Sequence, residues 1–262
     1  MSKENDCRWY PSPRYLLRKK LLLRCLKKIK CAKKSILEIG FGAGDTLCSY
    51  VKLGMNVKGY DYSEIANKEA CRRLKEHNYE DKVELIKKES DIAEAGYDVV
   101  AACEVLEHIE DDEQALKQWN RYIKNNGYLL ITVPSRMKKW CLNDEWSGHY
   151  RRYEKKELKD KLNNNGFEVI NFYSYPVPIN IVLDYLLERE KKREGGLEQH
   201  QEKQYSKEQM TKESGVTREA GGLARMLSKE WLMTPWHWLQ LLFINTDLGS
   251  GYVVLSRKIT EK

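Results

Sequence analysis

The chain's densest chemistry is Glu104-Val-Leu-Glu107-His108, with His149 set apart in Ser147-Gly-His-Tyr-Arg-Arg-Tyr153. If a helical turn begins at residue 104, positions 104, 107 and 108 fall at i, i+3 and i+4 and share a face. Two chemistries fit these types. In one, His108 or His149, with Glu107 beside them, is a general base for an acceptor hydroxyl. In the other, Glu104, Glu107, His108 and His149 hold a divalent metal that lowers the acceptor's pKa. The metal-free reading is adopted, with His108, His149 and Glu107 as catalytic candidates. His149 as a purely structural histidine weighs equally against its active-site role.

A second set is the run Ile36-Leu-Glu-Ile-Gly-Phe-Gly-Ala-Gly44, followed 17 residues later by Asp61-Tyr62. Dehydrogenase loops read G-x-G-x-x-G, and phosphate loops end in Gly-Lys-Ser/Thr. Here the spacing is Gly40-x-Gly42-x-Gly44, no Lys-Ser/Thr follows, and Glu38 would repel a pyrophosphate. Glu38 suits instead the ammonium of a cofactor that carries an amino acid, met directly or through water. The glycines let backbone approach a ligand closely. Asp61 can accept both ribose hydroxyls, and Tyr62 is placed to lie against an adenine face.

These residues need a frame. Strand patterns at 35–40, 56–61, 83–87, 97–103, 127–134, 167–173 and 251–258 alternate with helical patterns at 45–53, 63–77, 111–124 and 154–165, with Ser63 as N-cap of the second helix. Such alternation predicts an α/β fold, a mostly parallel seven-stranded sheet with helices on both faces. Its carboxyl edge would carry the glycine loop, Asp61 and residues 104–108 together. Residues 177–248 read as an insertion before the last strand, acting as a helical lid. Within it 194–222 is rich in Gln, Glu, Lys and Gly and has a disordered look. Trp231, Trp236 and Trp238 read as packing the insertion onto its domain, with stacking on an acceptor as the rarer use.

The glycine loop, Asp61 and the end of the fourth strand closely resemble class I S-adenosylmethionine-dependent methyltransferases over about residues 34–173. The resemblance implies a Rossmann-like fold with a reversed seventh strand, and S-adenosylmethionine as cofactor. It implies cofactor contacts from Glu38, Gly40, Gly42, Gly44, Asp61, Tyr62 and Glu104. An adenine-side carboxylate after the third strand falls among Glu89, Ser90 and Asp91, of which Asp91 is chosen. The Glu-x-x-Glu-His run with a later histidine is also similar to metal-using small-RNA 2′-O-methyltransferases. Trp9-Tyr-Pro-Ser-Pro-Arg14-Tyr15, Gly148–Tyr153, Thr211-x-x-Ser214-Gly215 and Thr246-Asp-Leu-Gly249 look like a bacterial methyltransferase subgroup whose acceptors are undefined. In that subgroup 211–218 would fold over the site.

The balance of the chain narrows the acceptor. The net charge is +7, yet residues 1–34 alone hold 12 Lys/Arg against two Asp/Glu, so the rest is slightly acidic. Residues 1–34 read as a basic N-terminal helical arm, its amphipathic helix pattern at 14–34, ahead of a methyltransferase domain at 35–262. That arm could touch an anionic membrane or RNA. The plainer expectation is a helix that packs its leucines on the domain and solvates its lysines. Nucleic acid is therefore disfavoured, and a small-molecule or saccharide acceptor methylated on oxygen is expected. Arg151 and Arg152 could hold an acidic acceptor, with a solvated basic patch as the plainer reading. The alternatives are a metal-assisted RNA 2′-O-methyltransferase and an inactive cofactor-binding module. Seven scattered cysteines without a Cys-x-x-Cys pair fit reduced thiols in the cytoplasm. No apolar run is long enough for a membrane span.

Overall fold

The computed structural model describes residues 9–179 and 229–259. Seven strands form one sheet in the order β3-β2-β1-β4-β5-β7-β6. They are β1 Ser35–Ile39, β2 Asn56–Tyr60, β3 Val83–Ile86, β4 Tyr97–Cys103, β5 Ile123–Pro134, β6 Phe167–Tyr175 and β7 Gly251–Lys258. The pairs β1–β2, β1–β4, β2–β3 and β4–β5 are parallel. Strand β7 runs antiparallel to both β5 and β6. The central strands β1 and β4 are buried along most of their length because helices cover both faces, whereas β2 and β3 toward the sheet edge are buried only in part.

The helices are α1 Pro13–Lys28, α2 Asp45–Lys52, α3 Glu64–Glu76, α4 Asp112–Tyr122, α5 Leu142–Ser147, α6 Lys155–Asn164 and α7 Thr234–Leu241. Ser63 caps α3, its hydroxyl accepting from the Ala66 N–H. One core joins Leu21, Leu22 and Leu26 of α1 to Leu47 and Tyr50 of α2 and Ala70 and Leu74 of α3. On the other face, Leu116 and Trp119 of α4 pack with Leu158 and Leu162 of α6 and Phe167. The chain steps outward from β1 to β3, then returns to start β4 on β1's other side. That reversal opens a crevice between the carboxyl ends of β1 and β4.

Three departures from the sequence expectation have clear causes. Helix α1 stops at Lys28 rather than 34, and its apolar face lies inside the shared core. The backbone at 123–126 is already strand, paired through Ile123 with Tyr97, and not the tail of α4. Trp231, Trp236 and Trp238 are 68%, 40% and 67% exposed, so they do not build core among the described residues. The expected lid falls largely on 180–228, as do 194–222 and 211–218, outside the described residues. No helix among the described residues is long and apolar enough to cross a membrane.

Candidate active site at the carboxyl edge of the sheet

The loop after β1 turns through left-handed backbone at Gly40, Gly42 and Gly44 (φ 69°, 54° and 74°). A Cβ on Gly40 would stand 2.5 Å from a Val105 methyl, so β1 and the segment after β4 meet only because that side chain is missing. Asp61, just beyond β2, ties the loop down. Its Oδ2 accepts from the Gly42 N–H at 2.9 Å and its Oδ1 from the Ser63 N–H at 2.9 Å. Each oxygen keeps a further lone pair. Burial raises the Asp61 pKa, and the two N–H groups oppose the rise. Tyr62 next to it is half exposed. Asp91 is exposed on a short 3₁₀ turn after β3, where its carboxylate accepts from the Ser90 hydroxyl.

Glu38 is buried beneath the loop, accepting from Thr46 Oγ1 at 2.6 Å and from the Tyr50 hydroxyl at 3.4 Å. Burial pushes its carboxyl up to about 8, against the pull of those bonds and of Arg18. At neutral pH the group is therefore largely protonated.

Glu104 stands in the left-handed region (φ 57°), an uncommon conformation for a side-chain-bearing residue. Its carboxylate is held by residues of β5, β6 and α1. Oε1 accepts from Thr132 Oγ1 and from the Tyr175 hydroxyl, each at 2.9 Å, and lies 3.3 Å from Arg18 Nη1. Burial raises its pKa, but Arg18, Arg14 and these bonds outweigh that and hold it below the usual range.

The expected common face of 104, 107 and 108 is thus divided. Residues 106–108 form one 3₁₀ turn that carries Glu107 and His108 to His149. Ligand-type atoms of Glu107, His108 and His149 all lie within 4.8 Å of one another. The two imidazoles meet edge to face with centroids 4.6 Å apart. Glu107 is fully buried, and neither carboxylate oxygen has a hydrogen-bond partner. Burial first, then the Glu104 charge, pushes its pKa well up. Burial and the neighbouring His149 lower the His108 pKa to about 3, which keeps that ring neutral.

A residue outside the sequence reading completes the group. Asp144, in α5, pairs its Oδ1 with His149 Nδ1 at 2.8 Å. Arg152 donates from Nε and Nη2 to the two Asp144 oxygens at 2.8 and 2.7 Å. Arg151 is also engaged, with Asp112 at 3.1 Å. Arg151 and Arg152 are therefore committed within the protein, neither a solvated patch nor a clamp left free for an acidic acceptor. A carboxylate at Nδ1 fixes the tautomer that leaves His149 Nε2 as an acceptor. Only the Cys141-x-x-Asp144 cap hinted at α5, and that hint is weak because cysteine is a poor capping residue.

The elements at this edge also include α1. Tyr15 and Lys19 each donate to Asp45 Oδ2 at 2.8 Å, at the start of α2. Arg14 donates to the Ser250 carbonyl at 3.0 Å, beside β7. The Thr246–Gly249 turn is bound in from the other side, since the Gly249 carbonyl accepts from Ser135 Oγ and Arg136 Nη2. A left-handed glycine loop, a buried carboxylate with spare lone pairs and a buried acid near neutrality make a fitting cradle for a nucleoside bearing an amino acid.

A family model described as a methyltransferase domain matches residues 12–171. A ubiquinone biosynthesis O-methyltransferase of Rickettsia canadensis is 32% identical over 112 residues, covering 41% of this chain and 46% of that protein. The chain spans about half the length of the curated relatives it matches. Among solved structures, the [4+2]-cyclase SpnF superposes with a TM-score of 0.63 at 14% identity, covering 98% of this chain and 86% of that one. Haemonchus contortus phosphoethanolamine N-methyltransferase 2, solved with S-adenosyl-L-methionine, gives 0.55 at 18% identity, covering 92% and 53%. At these identities the structural likeness establishes the fold alone.

Proposed function

The chain belongs to the methyltransferase-domain family and takes S-adenosylmethionine as methyl donor, and on that premise we propose that it methylates a hydroxyl oxygen of a small-molecule or saccharide acceptor. The cofactor supplies an electrophilic methyl on sulfonium. Glu38, the glycines at 40, 42 and 44, Asp61, Tyr62, Asp91 and Glu104 are assigned to holding it. The observation that carries the oxygen acceptor is the Arg152–Asp144–His149 chain. His149 is oriented by a buried carboxylate that is itself clamped by a guanidinium. Its Nε2 is set to take the hydroxyl proton as the oxygen attacks, and Asp144 stabilises the imidazolium that forms. His108, kept neutral, positions the His149 ring edge to face. The named activity of the Rickettsia relative is consistent with an oxygen acceptor.

The test is transfer of labelled methyl from the cofactor into a metabolite extract. His149→Ala should lower transfer by about 10²–10⁴-fold and leave cofactor affinity unchanged. Full transfer by that variant would refute the assignment. Cofactor binding with no transfer above background by the parent protein would favour an inactive module.

One observation favours a second reading, in which a divalent cation assists. Glu107 is buried with two unpartnered oxygens beside two histidines, and as carboxylate it needs a cation. Glu107, His108 and His149 would then be the donor set, without Glu104, and the cation would lower the acceptor hydroxyl's pKa. Loss of transfer on chelation, restored by Mg²⁺, Mn²⁺ or Zn²⁺, would select this reading. Indifference to chelator would remove it.

A further inference from the structure

We propose that the outer face of α7, with the basic face of α1 beside it, docks the protein on an anionic lipid surface. The tryptophans enter the headgroup layer and the cations pair with lipid phosphates.

The turns at 229–233 run straight into α7. Through them and the helix, Trp231, Pro235, Trp238 and Leu242 fall at i, i+4, i+7 and i+11, a single stripe. All four are exposed, and Leu242, at 76%, is the most exposed large apolar side chain among the described residues. Met233 and Gln240 lie on the opposite side and are buried. A helix seated on a domain by one face ordinarily turns polar residues to water with the other. Helix α7 turns tryptophan and leucine outward instead, and such a patch marks a contact surface.

Helix α1 lies along the flank of this stripe. Lys20 Nζ donates to Thr234 Oγ1 at 3.1 Å, and Gln240 Nε2 donates to the Leu17 carbonyl at 3.4 Å. Burial first, then the charges of Lys20 and Arg24, lower the His237 pKa, so both cations stand next to α7. Arg24 and Lys27 are exposed and meet no carboxylate among the described residues. Neither α1 nor the segment 231–245 contains an acidic residue. Apolar rings and uncompensated cations therefore share one surface, and that combination selects the partner. Indole rings settle at the headgroup level of a bilayer, where their apolar body and polar N–H are both accommodated. Arginine and lysine beside them reach anionic headgroups while their stems cover apolar surface. At eight residues α7 is far shorter than the roughly 20 needed to span a bilayer, so it lies in the interface. A second copy of this chain would set Arg24 and Lys27 against the same cations with no acid to offset them. A nucleic acid would meet the cations but give Pro235 and Leu242 nothing to stack on.

The test is co-sedimentation of the full chain with vesicles of phosphatidylcholine alone or mixed in equal parts with phosphatidylglycerol. At low salt the wild type should bind the mixed vesicles at least about tenfold tighter than the neutral ones. Brominated acyl chains should quench its tryptophan fluorescence, a measurement that needs no variant. Arg24→Gln combined with Lys27→Gln should weaken binding to mixed vesicles by about 10–30-fold. Trp231→Ser combined with Trp238→Ser should weaken it by about tenfold or more and remove most of the quenching. All four positions are exposed, so thermal unfolding of the variants should match the wild type. A wild type that neither pellets with mixed vesicles nor is quenched would overturn the proposal, as would folded variants that bind as well as the wild type. Concentration-dependent dimerisation lost in the tryptophan variant, without vesicle binding, would assign the face to a second copy and overturn it too. Binding of a short RNA lost in both variants, again without vesicle binding, would overturn it in favour of nucleic acid.

Discussion

At the scale of single residues, the site is a set of carboxylates given different states by their surroundings. Glu104 is ionised by its donors, Glu38 is protonated by burial, and Asp61 is buried but bonded by two N–H groups. Two predictions belong here. A proton that folded Glu38 keeps until about pH 8, and that the unfolded chain releases near 4.5, makes folding progressively less favourable across that window. Glu38→Gln should therefore flatten the fall in stability between about pH 5 and 8. Urea unfolding of both proteins at several pH values measures it, and parallel curves would refute the protonated state. For Asp61, replacement by Asn keeps one acceptor oxygen but sets an NH2 against the N–H of Gly42 or Ser63, so it should weaken cofactor binding by about 10–100-fold and cost about 1–3 kcal/mol of stability. Calorimetry with unaltered affinity would remove the ribose assignment.

At the scale of elements, strands and caps were legible because their signals are local. Strands 97–103 and 251–258 and the Ser63 cap match the sequence reading to the residue. What escaped depends on tertiary partners. Helix α5 is six residues long, too short to show a period, so Asp144 went unnoticed until the fold set it beside His149. The reversed turn at Glu104 also lies beyond any spacing rule, because nothing in the residue types demands a positive φ there. Arg151 and Arg152 look like solvated charges in sequence but pair with Asp112 and Asp144 in the fold. Helix α1 invites its own prediction. Leu21 is fully buried between α1 and the sheet, so Leu21→Ala should cost about 2–5 kcal/mol. A denaturation midpoint within error of wild type would mean that α1 is not anchored. Gly40→Ala should abolish cofactor binding, since its methyl would enter Val105 and its φ is left-handed. Cofactor titration of that variant is the check.

At the scale of the whole molecule, the positive charge of the N-terminal region is divided: Arg14, Arg18 and Lys19 are engaged with the body of the protein, while Arg24, Lys27, Lys28, Lys30 and Lys33 are exposed. Arg18 meets Glu104, Lys19 meets Asp45 and Glu230, and Lys28 donates to the Tyr173 hydroxyl. The exposed charges give a sequence-independent attraction to phosphates and no readout of bases. RNA affinity at physiological salt should accordingly be no better than nonspecific, and fluorescence anisotropy with a short RNA checks it. Tight, steeply salt-dependent binding would revive the RNA reading. The sheet's strand order carries a consequence for biosynthesis. Strand β7 fills the place between β5 and β6, although residue 251 is made 117 residues after β5 ends at 134. While the chain is still growing, β5 therefore has one unsatisfied edge and β6 has nothing to join it to the sheet. A ribosome stalled anywhere before residue 251 would hold a half-sheet with an open, sticky margin. Completion of the sheet is a late, long-range insertion, and until residues 251–258 arrive that margin stays open to pairing with other chains.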